Sequence, residues 1–220
     1  MNRTLVKICG LTRPEDAHAA AAAGADAIGL VLWPGSRRYV DLARAAEIRK
    51  SLPAGVRAIG VFVDGDAGSI RRAAAAVGLD GAQLCGRLVG DGWAELAAGL
   101  TLIRAVGVSA ARPIDASLRQ AFVADYLVDN GSTGAHGGAG LAYNWTLAEP
   151  LKSWGRVWLA GGLTPDNVAD AIHAAHPYAV DVSTGVESAP GIKSPDLIAA
   201  FVMAVRRLDP SSTMDSTDAR

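Results

Sequence analysis

Leu5-Val6-Lys7-Ile8-Cys9-Gly10-Leu11-Thr12-Arg13-Pro14 runs on into an alanine-rich stretch ending at Ala23, and so joins a short aliphatic run to a segment of helical periodicity. A strand alternates its side chains between two faces, so Val6 and Ile8 share one face and Lys7 and Cys9 the other. A hydroxyl at Thr12 close to Pro14 marks a helix start, because the hydroxyl can cap a first turn and proline suits its fixed φ. The same strand-then-helix unit recurs along the chain. Strands are expected to begin near Leu5, Ala27, Arg57, Gly81, Leu100, Tyr126, Arg156 and Ala179. Helices are expected over 14–23, 41–52, 69–77, 92–98, 115–122, 146–153, 164–175 and 194–207, with Thr164-Pro165 and Ser194-Pro195 repeating the start signal. Alternating units of this kind need a parallel sheet, and eight evenly spaced ones without a larger insertion favour a closed (β/α)8 TIM barrel over an open sheet. The fourth unit is the weakest, since Gly86 to Gly99 is glycine-rich.

The bulk properties bound the function. With 220 residues, half of them hydrophobic and 20% charged, the chain reads as one folded catalytic domain over 1–209. A small, polar tail over 210–220 is expected to be disordered. The net charge of −1 leaves no basic field for nucleic acid or an anionic membrane, so an anionic ligand must be held by local groups. Cys9 and Cys85 lie far apart with no metal-ligand spacing, which suggests neither zinc nor a disulfide. His173 and His176 lack a third ligand and read as a surface pair. With no signal-like apolar core and no run of apolar residues long enough to span a bilayer, a cytoplasmic location is expected.

Parity then collects the polar residues at one mouth. In a closed barrel Lys7, Cys9, Gln83, Asp129, Asp181 and Ser183 all face the interior, and the first and eighth strands are neighbours. Lys7 and Asp181 are therefore expected to pair, either to satisfy two interior charges or to touch substrate. Gln83 reads as a hydrogen-bonding interior residue. Gly161-Gly162 after strand seven and Ser183-Thr184-Gly185 after strand eight occupy the two loops that often grip phosphate in this fold, where backbone N–H groups and hydroxyls can donate to an anion. Cys9 alone reads as a packed thiol and Asp129 alone as a loop-capping carboxylate. On separated strands of one mouth, a thiol and a carboxyl can flank one small substrate as base and acid.

Val6-Lys7-Ile8-Cys9-Gly10-Leu11-Thr12, Ser36-Arg37-Arg38-Tyr39-Val40, Gly60-Val61-Phe62-Val63, Gln83-Leu84 and Leu127-Val128-Asp129 occur here in order. So do Gly137-Gly138-Ala139-Gly140, Leu159-Ala160-Gly161-Gly162-Leu163, Asp181-Val182-Ser183-Thr184-Gly185-Val186-Glu187 and Pro190-Gly191-Ile192-Lys193. As a set they closely resemble the motif series of the phosphoribosylanthranilate isomerase family of tryptophan biosynthesis, over all but the tail. The resemblance implies an Amadori rearrangement of N-(5′-phosphoribosyl)anthranilate to 1-(2-carboxyphenylamino)-1-deoxyribulose 5-phosphate. It implies Cys9 as general base, Asp129 as general acid, Arg38 as clamp on the anthranilate carboxylate, and the loops at Gly162 and Ser183 to Gly185 as the phosphate grip. On this route Asp129 must start protonated, with a pKa raised by burial, and Cys9 needs a positive field from Lys7 or from the iminium substrate to act as thiolate. No metal or organic cofactor is required.

The chain departs from the family pattern at Cys85, where a histidine is common, and at Tyr143-Asn144-Trp145 in place of Phe-Asp-Trp. Neither position carries the proposed acid or base. The segment 130–136 reads as a mobile loop, with His136 solvated. Competing readings are another phosphate-binding barrel enzyme, such as indole-glycerol-phosphate synthase or a sugar-phosphate epimerase, and a non-catalytic barrel that only binds a phosphorylated metabolite. Cys9 with Asp129 argues against both. A second phosphate motif is absent near strands three and four, so one substrate is expected, and a monomer is favoured over a homodimer.

Overall fold

The computed structural model describes residues 3–108, 114–129 and 144–209. Eight parallel strands form β1 (Leu5–Cys9), β2 (Ala27–Val31), β3 (Arg57–Val63), β4 (Gly81–Cys85), β5 (Thr101–Gly107), β6 (Asp125–Asp129), β7 (Arg156–Leu159) and β8 (Ala179–Val182). They pair in chain order, and β8 returns to β1 to close the barrel, with Lys7 opposite both Ala27 and Asp181.

The two strand faces go where their polarity sends them. Val6, Ile8, Ile28 and Leu30 point outward into a continuous apolar layer shared with residues such as Ile48, Ile70, Val168, Ile198 and Phe201 from the surrounding helices. The interior is filled in tiers, as barrel geometry requires. Ala27, Ile59, Ile103, Leu127, Trp158 and Ala179 pack one apolar cluster. Cys9, Val31 and Val61 form another, against which Cys85 packs. Buried Lys7, Gln83 and Asp181 are polar members of the interior, with Asp125 beside Trp158.

The helices are α1 (Pro14–Ala22), α2 (Leu42–Lys50), α3 (Ala67–Val77), α4 (Trp93–Ala97), α5 (Val168–Ala175) and α6 (Pro195–Arg206). Two of the expected helices are 3-10 turns instead. Among the described residues after β5 only Ala116–Leu118 turns, because the Gln120 N–H donates to the Tyr126 hydroxyl at 3.2 Å and is diverted from a helical carbonyl. After β6, Trp145–Ser153 holds Pro150 in its interior, where the missing N–H and the ring oppose an α-helix.

Of the three Ser/Thr-Pro start signals only Ser194 caps its helix, accepting from the Leu197 N–H at 3.3 Å. The Thr12 hydroxyl donates instead to the Gly191 carbonyl at 2.7 Å, and Arg13 sits at the α1 N-cap with no side-chain cap. Thr164 donates its N–H to Asn167 Oδ1 at 2.8 Å, which closes a turn there and delays α5 to Val168. A short antiparallel hairpin, β9 (Glu187–Ala189) and β10 (Ile192–Lys193), stands between β8 and α6 and is not among the elements expected from periodicity. The expectations for 130–136 and for the tail 210–220 lie outside the described residues.

Candidate active site

The mouth is built on a buried polar network. Lys7 Nζ donates at 2.8 Å to Asp181 Oδ2 and at 2.8 Å to Gln83 Oε1, so three strands share one ammonium. Gln83 Nε2 in turn lies 3.8 Å from Cys85 Sγ. Burial pulls the Lys7 pKa down, but Asp181 and the nearby Cys9 hold it above the ordinary value, so it stays charged. Asp181 Oδ1 is buried and accepts no hydrogen bond among the described residues. A carboxylate oxygen left so inside a barrel is costly, and a substrate hydroxyl can satisfy it.

Cys9 lies one residue pair further along β1, toward the C-terminal end of the barrel. Room for it is made by Gly29 on the paired strand: a Cβ there would sit 2.5 Å from Cys9 Sγ and 3.1 Å from Lys7 Cε. Burial pushes the thiol pKa up and Asp181 adds to this, while Lys7 and Lys193 pull it down; burial prevails. The positive field expected from Lys7 is present, yet on its own it does not produce a resting thiolate.

The loops after β7 and β8 meet. Gly161 and Gly162 both adopt left-handed φ, +86° and +69°, and their N–H groups donate to no carbonyl among the described residues. Asn167 Nδ2 fixes this loop by donating to the Gly162 carbonyl at 3.0 Å. A Cβ on Gly185 would collide with the Leu163 carbonyl, so glycine is required where the two loops touch. Ser183 is followed directly by a 3-10 turn over Thr184–Val186, whose Gly185 lies against the backbone of Leu163 and Thr164.

Beside these loops lies a charged cluster. Arg38 Nε and Nη2 donate to the two oxygens of Glu187 at 2.6 and 2.7 Å, and Nη2 also reaches Thr184 Oγ1 at 3.0 Å. The Arg38 stem packs over Gly10, whose φ of +75° and lack of a side chain permit the approach. Lys193, 1% exposed, donates to Glu187 Oε1 at 3.0 Å, to the Ser183 carbonyl at 3.0 Å and to Ser183 Oγ at 3.3 Å. Burial lowers the Lys193 pKa despite Glu187. Glu187, although burial pushes it up, is held below its ordinary value by Arg38 and Lys193.

Lys7, Cys9, Gln83, Asp181 and both loops, expected at one mouth from parity, gather at one end of the barrel, and Arg38, expected there from the resemblance, joins them through Thr184 and Glu187. Asp129 ends β6 at the same mouth and is exposed, so the burial expected of it is not seen among the described residues. Sequence reasoning did not single out Glu187 and Lys193. Both belong to the motif series, but strand parity assigns no direction to residues outside the eight barrel strands. Among the described residues no group of three metal-ligating side chains gathers, and no helix is long and apolar enough to cross a membrane.

Comparison with known proteins places this geometry. The sequence model described as N-(5′-phosphoribosyl)anthranilate (PRA) isomerase matches residues 6–204. The chain is 46% identical to N-(5′-phosphoribosyl)anthranilate isomerase of Chromohalobacter salexigens over 211 residues, 93% of this chain and 95% of that one. It is 42% identical to the Geobacter sp. (strain M21) protein of the same name over 209 residues, 93% of this chain and 99% of that one. The crystal structure of the Thermotoga maritima isomerase superposes with a TM-score of 0.82 at 37% identity, covering 93% of this chain and all of that one. A phosphoribosylanthranilate isomerase in complex with reduced 1-(o-carboxyphenylamino)-1-deoxyribulose 5-phosphate gives a TM-score of 0.78 at 36% identity, with coverage of 93% and 100%. A match across almost the whole barrel, at this identity, means that the chain belongs to the N-(5′-phosphoribosyl)anthranilate isomerase family.

Proposed function

We propose that the chain isomerises N-(5′-phosphoribosyl)anthranilate to 1-(2-carboxyphenylamino)-1-deoxyribulose 5-phosphate in tryptophan biosynthesis, with Cys9 as general base and Asp129 as general acid. The observation that carries the assignment of roles is the convergence, at one end of a barrel of this family, of the β1 thiol, the β6 carboxyl and the glycine loops after β7 and β8. Asp129 gives its proton to the ribose ring oxygen as that C–O bond breaks, leaving an open-chain iminium. Cys9 as thiolate takes the C2′ proton, and the electron pair of that C–H bond neutralises the iminium as an enolamine. The enolamine relaxes to the ketone, so only protons move and no electron acceptor is consumed.

Cys9 rests with a raised pKa, and the cationic iminium beside it favours the thiolate at the moment a base is needed. In the same way, the anthranilate ring lying over the exposed Asp129 would supply the desolvation that keeps its proton on. Gly161, Gly162, Ser183, Thr184 and Gly185 donate to the phosphate, and Arg38, whose Nη1 has no partner among the described residues, receives the anthranilate carboxylate. Lys7, Gln83 and Asp181 form the floor, with Asp181 Oδ1 open to a ribose hydroxyl. Residues 1–209 act as one catalytic domain, in the cytoplasm and as a monomer, with activity on this substrate and not on the histidine-pathway aminoaldose.

The experiment is the fluorescence decay of freshly synthesised substrate with wild type, Cys9→Ser and Asp129→Asn, each checked for folding. Wild-type turnover is expected, and loss of one acid or base should lower kcat by about 10²- to 10⁴-fold. No wild-type turnover, or variants that turn over normally, would overturn the roles. Failure to rescue a tryptophan auxotroph lacking the isomerase would favour a binding-only barrel.

A further inference from the structure

The β9–β10 hairpin carries chemistry that acid, base and phosphate loops leave unused. Lys193 is a buried ammonium with three acceptors: the carbonyl and hydroxyl of Ser183 at 3.0 and 3.3 Å, and Glu187 Oε1 at 3.0 Å. Its own N–H donates to Asp16 Oδ2 at 3.2 Å, which ties the hairpin to α1. Glu187 is at the same time bidentate to Arg38. The charges around Cys9 therefore do not cancel. Lys7 is matched by Asp181, and Asp16 by Arg13, but Lys193 and Arg38 share a single carboxylate. One positive charge is left over among the described residues, held against Ser183 and over Gly10, the residue that follows Cys9.

We propose that Lys193 is a positioning residue that couples phosphate grip to the base, shaping the loop at Ser183 with one side of its ammonium while, with Arg38, leaving one net positive charge toward Cys9. The proposal rests on the isomerase reading for its consequence in turnover, but not for the electrostatics. Ser183 Oγ, which Lys193 Nζ reaches at 3.3 Å, and the Arg38 stem both pack on Gly10, the residue after Cys9, where a Cβ would lie 3.1 Å from Ser183 Oγ. Lys7 from β1, Asp181 from β8, Cys85 from β4 and Glu187 from β9 are the other charged or titratable groups around them. Of these, Lys193 and its partner Glu187 can be changed in opposite electrical senses without touching the barrel interior. Moving a charge this close to a buried thiol is a large perturbation, because low surrounding polarity screens it poorly.

The test is the pH dependence of Cys9 alkylation by iodoacetamide, read at the Cys9 peptide by mass spectrometry, for wild type, Lys193→Met and Glu187→Gln. Lys193→Met removes the excess charge, so the alkylation midpoint should move to higher pH, and the rate at neutral pH should fall about tenfold for each pH unit that the midpoint moves. Glu187→Gln leaves both cations unmatched, so its midpoint should move to lower pH and the neutral rate should rise. A purely structural role does not produce opposite shifts. Unchanged midpoints in folded variants, or shifts in one common direction, would overturn the proposal. If Lys193→Met does not fold, the direction seen in Glu187→Gln decides alone. Because alkylation needs no substrate, opposite shifts in a protein with no isomerase turnover would keep the coupling and sink the functional reading.

Discussion

Gly29 shows how much of the site depends on an absent side chain. Its register against Cys9 on β1 puts its missing Cβ where the thiol sulfur and the Lys7 stem now lie. Gly29→Ala must push one of them aside, and both belong to rigid strands. Overpacking of this kind costs about 1–3 kcal/mol, which a denaturant midpoint would report. Activity should suffer more than stability: moving a reacting group by about 1 Å costs on the order of 10²-fold in rate. A variant that loses stability but keeps kcat would show that the sulfur position is not critical. The sequence placed Cys9 inward by parity, but the crowding that only glycine relieves becomes visible when two strands are paired.

At the scale of elements, the loops after β7 and β8 touch where the phosphate grip is proposed. Gly185 packs against the Leu163 carbonyl, so a methyl group there must separate the two loops. Phosphate is not a reacting group in this rearrangement, and its grip is the same in ground and transition states. Gly185→Ala should therefore raise KM with kcat nearly unchanged and weaken inhibition by inorganic phosphate, as steady-state kinetics would measure. An equal fall in kcat would mean that the loop also positions the reacting sugar. Both loops were legible as glycine and hydroxyl clusters at strand ends. The hairpin that follows was not, because a three-residue and a two-residue strand have too few alternations to read. The start signals at Thr12 and Thr164 misled for a related reason: each polar group has competing partners, and Gly191 and Asn167 reach them first.

At the scale of the molecule, the opposite end of the barrel is fastened by Asp26. It accepts from Arg3 at 2.5 and 3.2 Å, from the Val6 N–H at 2.8 Å and from Arg206 of α6 at 2.8 Å, while Arg206 also reaches the carbonyls of Thr4 and Gly24. The first strand and the last helix thus meet on one carboxylate. Burial pushes Asp26 up, but Arg3, the Val6 N–H and Arg206 hold it below its ordinary value. A depressed folded pKa means stability that is fully present above the unfolded value of about 3.9 and lost as the pH falls through it toward the folded value. Asp26→Asn should cost about 1–3 kcal/mol near neutral pH and flatten the acid limb of stability against pH, measured by denaturant unfolding. An acid limb as steep as wild type would assign it to other carboxylates.

What the sequence alone determined was the barrel, its closure and the buried inward set Lys7, Cys9, Gln83 and Asp181. Those follow from the two-residue period of a strand, which is local covalent geometry, and from the regular recurrence of eight units. Only tertiary structure decided the ionic partners and the protonation of the site. Arg38 meets Glu187 across 149 residues of chain, and Lys193 turns back to Ser183 through a hairpin that local periodicity does not reveal. Whether Cys9 rests as thiol or thiolate depends on burial and Asp181 weighed against Lys7 and Lys193. Burial and Coulomb energy are set by distances through space, and sequence separation carries no measure of those.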